Sequence, residues 1–396
     1  MKTREVKLGE VANVKGGKRI PKGIGLINIP NGHPYIRVRD LNNKRLLELD
    51  NSYEYVDNET QKVISKYTVK TGDVVLSIVG TIGLVAIVGR TLDGANLTEN
   101  CVKLSSFHGV NRDFLYYYLR SDCGQQEIRC GTVGAVQAKL PIKNIQNIAI
   151  NLPDYTTQER IASLLLSIDR KIELNQKIND NLYDLVNTLY TKLFKDTDCE
   201  MTTVEDYVDC IYSGGTPATS NMAYWNGNLN WLSSGETRNR FVISTEKTIT
   251  QLGADNSSTK SAQKYDIVIA SAGQGFTRGQ TSMLLLNTYI NQSVIVLHAK
   301  KTILPYLFWN LTNRYDDLRA ISDSSSIRGS LTTKMLSKLK IPKAEDSLIL
   351  KFSEFAWSII PQIENNLIEN KRLTDLRDSL LPKLMSGEID VSDIQL

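Results

Sequence analysis

No run in this chain approaches the ~18 uncharged apolar residues that a membrane-spanning helix needs. The opening Met1-Lys2-Thr3-Arg4-Glu5 has no apolar signal segment either. Histidine is scarce: His33, His108 and His298 lie far apart. The five cysteines (Cys101, Cys123, Cys130, Cys199 and Cys210) are an odd number with no paired framework. Cys123 and Cys130 do not have a zinc-ribbon spacing, so the thiols read as structural or inert and no metal is expected. A soluble, cytoplasmic protein without membrane contact is the expectation.

Motifs for chemistry are also missing. There is no G-x-x-x-x-G-K-[ST] phosphate loop; Gly273 to Gly279 is glycine-rich but lacks the lysine and the spacing. Asn151-Leu-Pro-Asp-Tyr155 faintly resembles the N/D-P-P-Y/F signature of amino-methyltransferases. Asp154 stands where that signature has its second proline, and no glycine-rich cofactor loop accompanies it. No carboxylate pair with a nuclease-type lysine and no Ser/His/Asp set is apparent. We therefore expect no catalytic residues, and no cofactor in this chain.

What the chain does have is a repeat. Lys171 to Phe194 and Gln362 to Met385, offset by 191 positions, share ten identities without a gap, including Asn175/Asn366, Asn179/Asn370, Leu182/Leu373 and Leu189/Leu380. Fainter echoes run through each half in the same order. Gly16-Gly17 is answered by Gly214-Gly215, Pro34-Tyr35-Ile36 by Asn230-Trp231-Leu232, and Gly72-Asp73-Val74-Val75 by Tyr265-Asp266-Ile267-Val268. Leu97 to Leu104 matches Ile290 to Leu297, Phe114 to Tyr117 matches Tyr306 to Trp309, and Leu152-Pro153 matches Ile341-Pro342. Two similar halves imply two similar surfaces, suited to a ligand that itself comes in two parts.

Charge is unevenly spread. Residues 1–150 hold 21 basic against 14 acidic residues, and 200–342 hold 14 against 11. Segments 151–199 and 343–396 are acidic, with 6 against 8 and 6 against 10. Mildly basic globules suit a phosphate-facing surface, and mildly acidic helices suit protein or solvent.

From Gln158 the pattern predicts one long helix, capped by Thr156 or Thr157. Its apolar positions, Ile161, Leu165, Ile168, Ile172, Leu182, Val186, Leu189 and Leu193, alternate in steps of three and four, as a coiled-coil seam does. The second helix repeats this with Phe352, Ala356, Ile359, Ile363, Leu373 and Leu380. Asn175, Asn179, Asn366 and Asn370 are polar seam positions that would meet if the helices pair in either direction, fixing register or leaving the seam partly solvated. Pro361 and Pro382 predict a kink in the second helix, each removing one backbone hydrogen bond. Before each helix, short apolar or alternating runs bounded by Gly, Asp or Asn predict an α+β globule. Examples are Val74 to Val79, Leu84 to Val88, Asn100 to Leu104 and Ile148 to Leu152, answered by Tyr265 to Ala270, Met283 to Leu286 and Val294 to His298.

The remaining signals concern recognition. Lys15, Lys18, Arg19 and Lys22 lie on a glycine-containing loop that suits phosphate contacts. Arg37 and Arg39 alternate, which would place both on one strand face, and arginine makes the bidentate contact to guanine that base reading uses most often. Ser233, Ser234, Arg238, Arg240, Gln274 and Arg278 occupy corresponding loops of the second half. Gln137 and Arg328, in matching polar loops before the last strand, are long enough to reach a base edge.

In order and duplication, the chain resembles the specificity subunit of type I restriction–modification systems. The similarity rests on Leu152-Pro-Asp-Tyr-Thr-Thr-Gln158-Glu-Arg-Ile161 leading to Ile168-Asp169, on Gly72-Asp73-Val-Val and on Leu97-Thr-Glu-Asn100. In the second half it rests on Gly214-Gly215-Thr-Pro217, Trp231 to Glu236 and Leu384-Met-Ser-Gly387-Glu-Ile389. In the first half Lys18-Arg19-Ile-Pro replaces the Gly-Thr-Pro form. The resemblance implies two target recognition domains (1–155 and 197–344), two long antiparallel spacer helices (156–196 and 345–386) and a tail (387–396). It implies double-stranded DNA as ligand and two modification subunits holding S-adenosylmethionine. It also implies restriction subunits, the translocase/endonuclease that uses ATP and Mg. A helix over 158–194 would be about 55 Å long, more than the ~34–36 Å between equivalent groove faces one duplex turn apart. Two other readings compete: a self-contained DNA methyltransferase or nuclease, and a coiled-coil scaffold without nucleic acid. Salt-dependent DNA affinity separates the last from the rest.

Overall fold

The computed structural model describes residues 3–41, 44–134, 136–195, 200–273, 276–323 and 329–391. It divides into two compact units, Met1–Lys171 with Leu373–Leu396, and Ile172–Arg372.

The strands of the first unit are β1 (Thr3–Lys7), β2 (Asn13–Gly16), β3 (Pro34–Ile36), β4 (Leu46–Leu47), β5 (Glu54–Tyr55), β6 (Val74–Ser77), β7 (Val85–Val88), β8 (Asn96–Leu97), β9 (Cys101–Ser105) and β10 (Ala149–Pro153). They form a five-stranded sheet in the order β2-β9-β6-β7-β4, a three-stranded sheet β5-β3-β8, and the antiparallel pair β1-β10. Val74, Leu76, Ile87, Val102 and Leu104 face a core closed by the helix Arg112–Arg120 and by Ile161 and Leu165 of the long helix. Val75, Ala86, Val88 and Cys101, on the opposite faces, pack with Ile36 and Leu97 of the small sheet. Burial on both faces is why these strands read as continuous apolar runs rather than as alternation. Cys101 is buried there, which pushes its thiol pKa up.

The second unit repeats this order. Its strands are β11 (Met201–Thr203), β12 (Cys210–Ser213), β13 (Trp225–Leu232), β14 (Phe241–Val242), β15 (Lys247–Ile249), β16 (Lys260–Ala262), β17 (Ile267–Ala270), β18 (Thr281–Leu284), β19 (Thr288–Ile290), β20 (Val294–His298) and β21 (Lys340–Pro342). The sheets are β12-β20-β17-β18-β14, β15-β13-β19-β16 and β11-β21. Position by position they copy the first unit, with β16 added to the small sheet.

The repeat also extends to local hydrogen bonds that the echoes only hint at. In each unit three carboxylates accept a backbone N–H three residues earlier. Lys7 N donates to Glu10 (3.3 Å), Arg37 N to Asp40 (2.7 Å) and Lys70 N to Asp73 (2.9 Å). Their counterparts are Thr203 N to Asp206 (2.9 Å), Ser233 N to Glu236 (2.8 Å) and Gln263 N to Asp266 (2.7 Å). Each is a cap that occupies an orphan donor where the chain turns.

The long helices run Tyr155–Phe194 and Asp346–Ser386. The cap of the first is Asp154, not Thr156 or Thr157. Its carboxylate accepts from Thr157 N (3.0 Å) and Thr157 Oγ1 (2.7 Å), so the Asp154 of the faint methyltransferase signature starts a helix instead. The second helix is continuous through Pro361 and Pro382, as its expected span over 345–386 requires. The expected seam holds at Ile161, Leu165, Ile168 and Val186, but Leu182, Leu189 and Leu193 are only half-buried. Tyr183, Tyr190 and Phe194 are buried in their place. The reason is a second neighbour. These rings pack on Tyr306, Trp309 and Phe352, so the buried stripe rotates toward the helix Leu304–Thr312. In the second helix Ile360 is buried and Ile359 half-buried, for the same reason.

Within the second unit the helices pair through their asparagines. Asn175 Nδ2 donates to Asn370 Oδ1 (2.9 Å) and Glu369 Oε2 (2.7 Å), and Asn366 Nδ2 donates to Asn179 Oδ1 (2.8 Å). Asn179 Nδ2 reaches the Ile363 carbonyl (3.2 Å) and Asn370 Nδ2 the Ile172 carbonyl (3.3 Å). Numbers rise on one helix as they fall on the other, so the pairing is antiparallel. In the first unit the same helices meet at Asp169, whose carboxylate accepts from Arg377 Nη1 (2.8 Å) and from Tyr117 OH (2.6 Å).

Asn175→Leu leaves Asn370 and Glu369 without their shared donor and should lower stability by about 1–3 kcal/mol. Leucine at all four asparagine positions leaves no unpaired asparagine, with Glu369 the one side-chain partner left behind, and should be more stable than that single variant. Denaturant midpoints of the three proteins check both statements; a single variant as stable as the parent would remove the bonds from the account.

Candidate nucleic-acid interface

In the first unit, strand directions bring five loops to one end of the large sheet. β2 and β6 end there, and β7 and β9 begin there. Backbone hydrogen bonds tie the loops together: Gly17 N to Cys101 O (3.0 Å), Lys18 N to Leu97 O (2.8 Å), Thr98 N to Ile36 O (3.1 Å), Ile78 N to Asn100 O (2.8 Å) and Leu140 N to Ile78 O (3.0 Å). A side chain at Gly17 would begin 2.1 Å from the Thr98 carbonyl, so only glycine lets the basic loop lie this close. Gly214 has the same constraint in the second unit, 2.1 Å from the Ile290 carbonyl.

On this platform Lys18, Arg19 and Lys22 are exposed. Lys18 carries its ammonium 5.6 Å from the centre of the Tyr67 ring, and its carbonyl accepts from Tyr35 OH (2.8 Å). Arg19 pairs with Glu99 (2.8 Å) but stays 80% exposed, so its guanidinium remains accessible. Lys15 is exposed on β2, opposite Lys103 in the register.

Arg37 and Arg39 do not share a strand face. β3 stops at Ile36, and Val38–Leu41 is a short 3-10 turn built around buried Asp40. Both arginines nevertheless converge on Glu54: Arg39 Nη2 sits 2.8 Å from Glu54 Oε2, and Arg37 pairs with the same oxygen. Arg39 keeps 56% of its side chain exposed and Arg37 26%. Burial lifts the Asp40 carboxyl pKa to about 6, against the pull of Arg39. Gln137 is exposed on the neighbouring loop, which Val133 and Lys139 close by a bridge and Lys139 fastens to Val79. Lys139 is exposed on the same loop, and the sequence reading missed it because it stopped at Gln137.

The second unit gathers the corresponding loops through Gly215 N to Ile290 O (3.2 Å), Asn291 N to Leu232 O (3.0 Å), Ser271 N to Ser293 O (2.8 Å) and Leu331 N to Ser271 O (2.8 Å). Its polar side chains are more committed to the fold. Ser233 Oγ donates to Glu236 (2.9 Å), and the Ser234 carbonyl accepts from Thr237 Oγ1 (2.8 Å). Arg238 is exposed, with its Nε on the Gly235 carbonyl (2.7 Å). Arg240 stacks its guanidinium 4.2 Å from the centre of the Tyr183 ring of the long helix. Arg278 is 13% exposed and held by Asp323 and the Gly329 carbonyl. Gln274 and Arg328 lie outside the described residues. Thr216 and Gln292, hydrogen-bonded to each other on this end, carried no sequence signal because each is an ordinary loop residue.

Among the described residues no group of three or more His, Cys, Asp or Glu could hold a metal ion. His298 pairs with buried Asp266 (2.6 Å) at the opposite end of the sheet, as a structural contact. No described helix is long and apolar enough to cross a membrane.

A family model for the type I restriction modification DNA specificity domain matches residues 2–183 and again 197–370. The chain is 23% identical to the type I restriction enzyme HindI specificity subunit of Haemophilus influenzae, over 66% of this chain and 73% of that one. It is 21% identical to the MjaIX specificity subunit of Methanocaldococcus jannaschii, over 91% and 88%. The fold is similar to the crystal structure of the type I restriction–modification S subunit from M. genitalium, with a TM-score of 0.60 at 16% identity over 97% of this chain and 96% of that one. With the family domain present twice, in the two places where sheets, caps and loops repeat, this chain belongs to the type I restriction–modification DNA specificity family.

Proposed function

We propose that this chain is the DNA-reading subunit of a type I restriction–modification complex, each half reading one part of a bipartite target and neither half doing chemistry. The observation that carries this is the duplicated loop platform. The same backbone bonds hold both platforms, while the loops they present differ in sequence and length. In this reading Lys15, Lys18, Arg19 and Lys22 meet phosphates, because they are exposed and sit on backbone that can approach closely. Arg39, Gln137 and Arg238 are the exposed side chains suited to base edges. Arg37, Arg240 and Arg278 act one step back, steadying loops through Glu54, Tyr183 and Asp323. Ser233 and Ser234 likewise support the turn before Arg238. Gln274 and Arg328 are assigned to base reading from the sequence alone.

The partners in this proposal are double-stranded DNA, two modification subunits and the restriction subunits, in the cytoplasm. S-adenosylmethionine, ATP and Mg belong to those partners, and this chain supplies address rather than reaction.

Exchanging residues 1–150 for those of a related subunit should change one half of the methylated sequence and leave the other intact. Mapping methylated sites in cells carrying the exchanged gene tests this, and a simultaneous change in both halves would end the modular reading.

Lys18→Ala with Arg19→Ala should weaken binding of the assembled complex to target and non-target duplexes alike, and reduce the salt slope by about one for each phosphate no longer neutralised. Arg39→Ala should weaken target binding selectively, by about 1–3 kcal/mol if it makes one base contact. Affinity against salt on both duplexes separates the two behaviours; equal losses on both for Arg39→Ala would reassign it to the backbone.

A further inference from the structure

The two long helices share their central asparagines, and one buried pair at which they differ is informative. Asn175 corresponds to Asn366 and Asn179 to Asn370, so the asparagine ring is its own image. Asn175 meets Asn370 while Asn179 meets Asn366. A first helix paired antiparallel with a copy of itself would set Asn175 against Asn179 of the copy and could form the same asparagine–asparagine bonds, losing only the Asn175–Glu369 bond, since Ile178 stands where the repeat puts Glu369. The second helix could do likewise. The ring therefore sets register and direction without telling one half from the other.

Asp169 and Arg377 break that equivalence. By the repeat, Asp169 corresponds to Ile360 and Arg377 to Val186. The image of the ion pair is an apolar pair, Ile360 and Val186, both fully buried in one cluster. The third member changes too. Tyr117, which donates to Asp169, is answered by Trp309, packed on the Tyr183 and Phe352 rings. Asp169 is 4% exposed, and the Arg377 side chain 15%.

We propose that the Asp169–Arg377 pair governs partner choice: it makes each long helix accept the other half of this chain and reject a second copy of its own half. In a pair of first halves, Asp169 would lie opposite Val186 of the copy, twice over. No lysine or arginine occurs between Lys177 and Lys192 to replace Arg377, and Asp184 is the charged residue near that point. The Tyr117 hydroxyl would remain as a donor, but not the counter-charge. In a pair of second halves, Arg377 would lie opposite Ile360 of the copy, with no carboxylate between Glu354 and Glu364, and would keep only the more exposed Asp378 of its own helix (2.8 Å). A buried ion pair adds little stability over apolar packing, but a buried charge stripped of its partner is strongly unfavourable. An arrangement of this kind selects by penalising the wrong pairing rather than by strengthening the right one.

The test uses the full chain with a protease site placed between residues 195 and 200. After cleavage the protein is unfolded and refolded, so that pairing is chosen afresh, and native mass spectrometry counts the pairs. The parent should give first–second pairs, with homotypic pairs at least about tenfold scarcer. Asp169→Ile restores the image pair in a first–first complex and leaves Arg377 facing an apolar residue in mixed and second–second pairs alike, so the bias toward mixed pairs is lost and first–first pairs should rise to about statistical amounts. Asp169→Arg with Arg377→Asp keeps the charges complementary and should behave like the parent, which guards against Asp169→Ile acting through misfolding. Homotypic pairs from the parent in statistical amounts would overturn the proposal. So would a refolded Asp169→Ile protein that still forms only mixed pairs, or a charge-reversed protein that forms homotypic ones.

Discussion

Antiparallel pairing of two helices, 40 and 41 residues long, is the constraint on which the remaining architecture depends. An apolar seam alone leaves such a pair free to slide by a turn, since leucine packs on leucine in several registers. Asn175, Asn179, Asn366 and Asn370 remove that freedom, because each finds its bonds at one register only. The globular elements are then built onto helices whose alignment is set. Aromatic side chains of the first helix, Tyr183, Tyr190 and Phe194, enter the core of the second unit, so helix and sheets there form one packed body.

The proposed recognition loops and the scaffold beneath them are separated chemically as well as spatially. The scaffold's carboxylates are turned inward on backbone N–H groups, as at Asp40 and Glu236, while exposed cations stand on the loops above them. A carboxylate capped in this way does not repel phosphate as an exposed one would. Asp40 goes further, since burial lifts its pKa to about 6 and leaves it partly neutral in mildly acidic solution.

The repeat, the two helices, the central asparagines and the most apolar strands could all be read from the sequence, because periodicity and duplication are statistical properties of many residues. What escaped were matters of individual neighbours. Thr156 and Thr157 looked like the helix cap because threonine often is one, yet Asp154 holds that place through two bonds. Leu182, Leu189 and Leu193 fitted a two-helix seam, but the sheet-side aromatics made a third neighbour and rotated the buried face. Arg37 and Arg39 alternated as a strand would, while the buried cap at Asp40 turned the chain after Ile36. That Arg240 and Arg278 turn back onto Tyr183 and Asp323 depends on residues distant in sequence, for which a single chain offers no signal.

The glycine-pinned loops have an evolutionary consequence. Between β2 and β3 the chain spends residues 17–33, and between β12 and β13 it spends 214–224, yet both loops leave from the same close approach beside the small sheet. When both ends of a loop are held by bonds of their own, its length enters stability only through closure entropy, which grows logarithmically. Going from the shorter of these loops to the longer is a change of about 0.4 kcal/mol. Residues can thus be inserted, removed or rewritten between fixed ends with almost no effect on the core, and drift in the addressed sequence need not wait for compensating changes elsewhere in the chain.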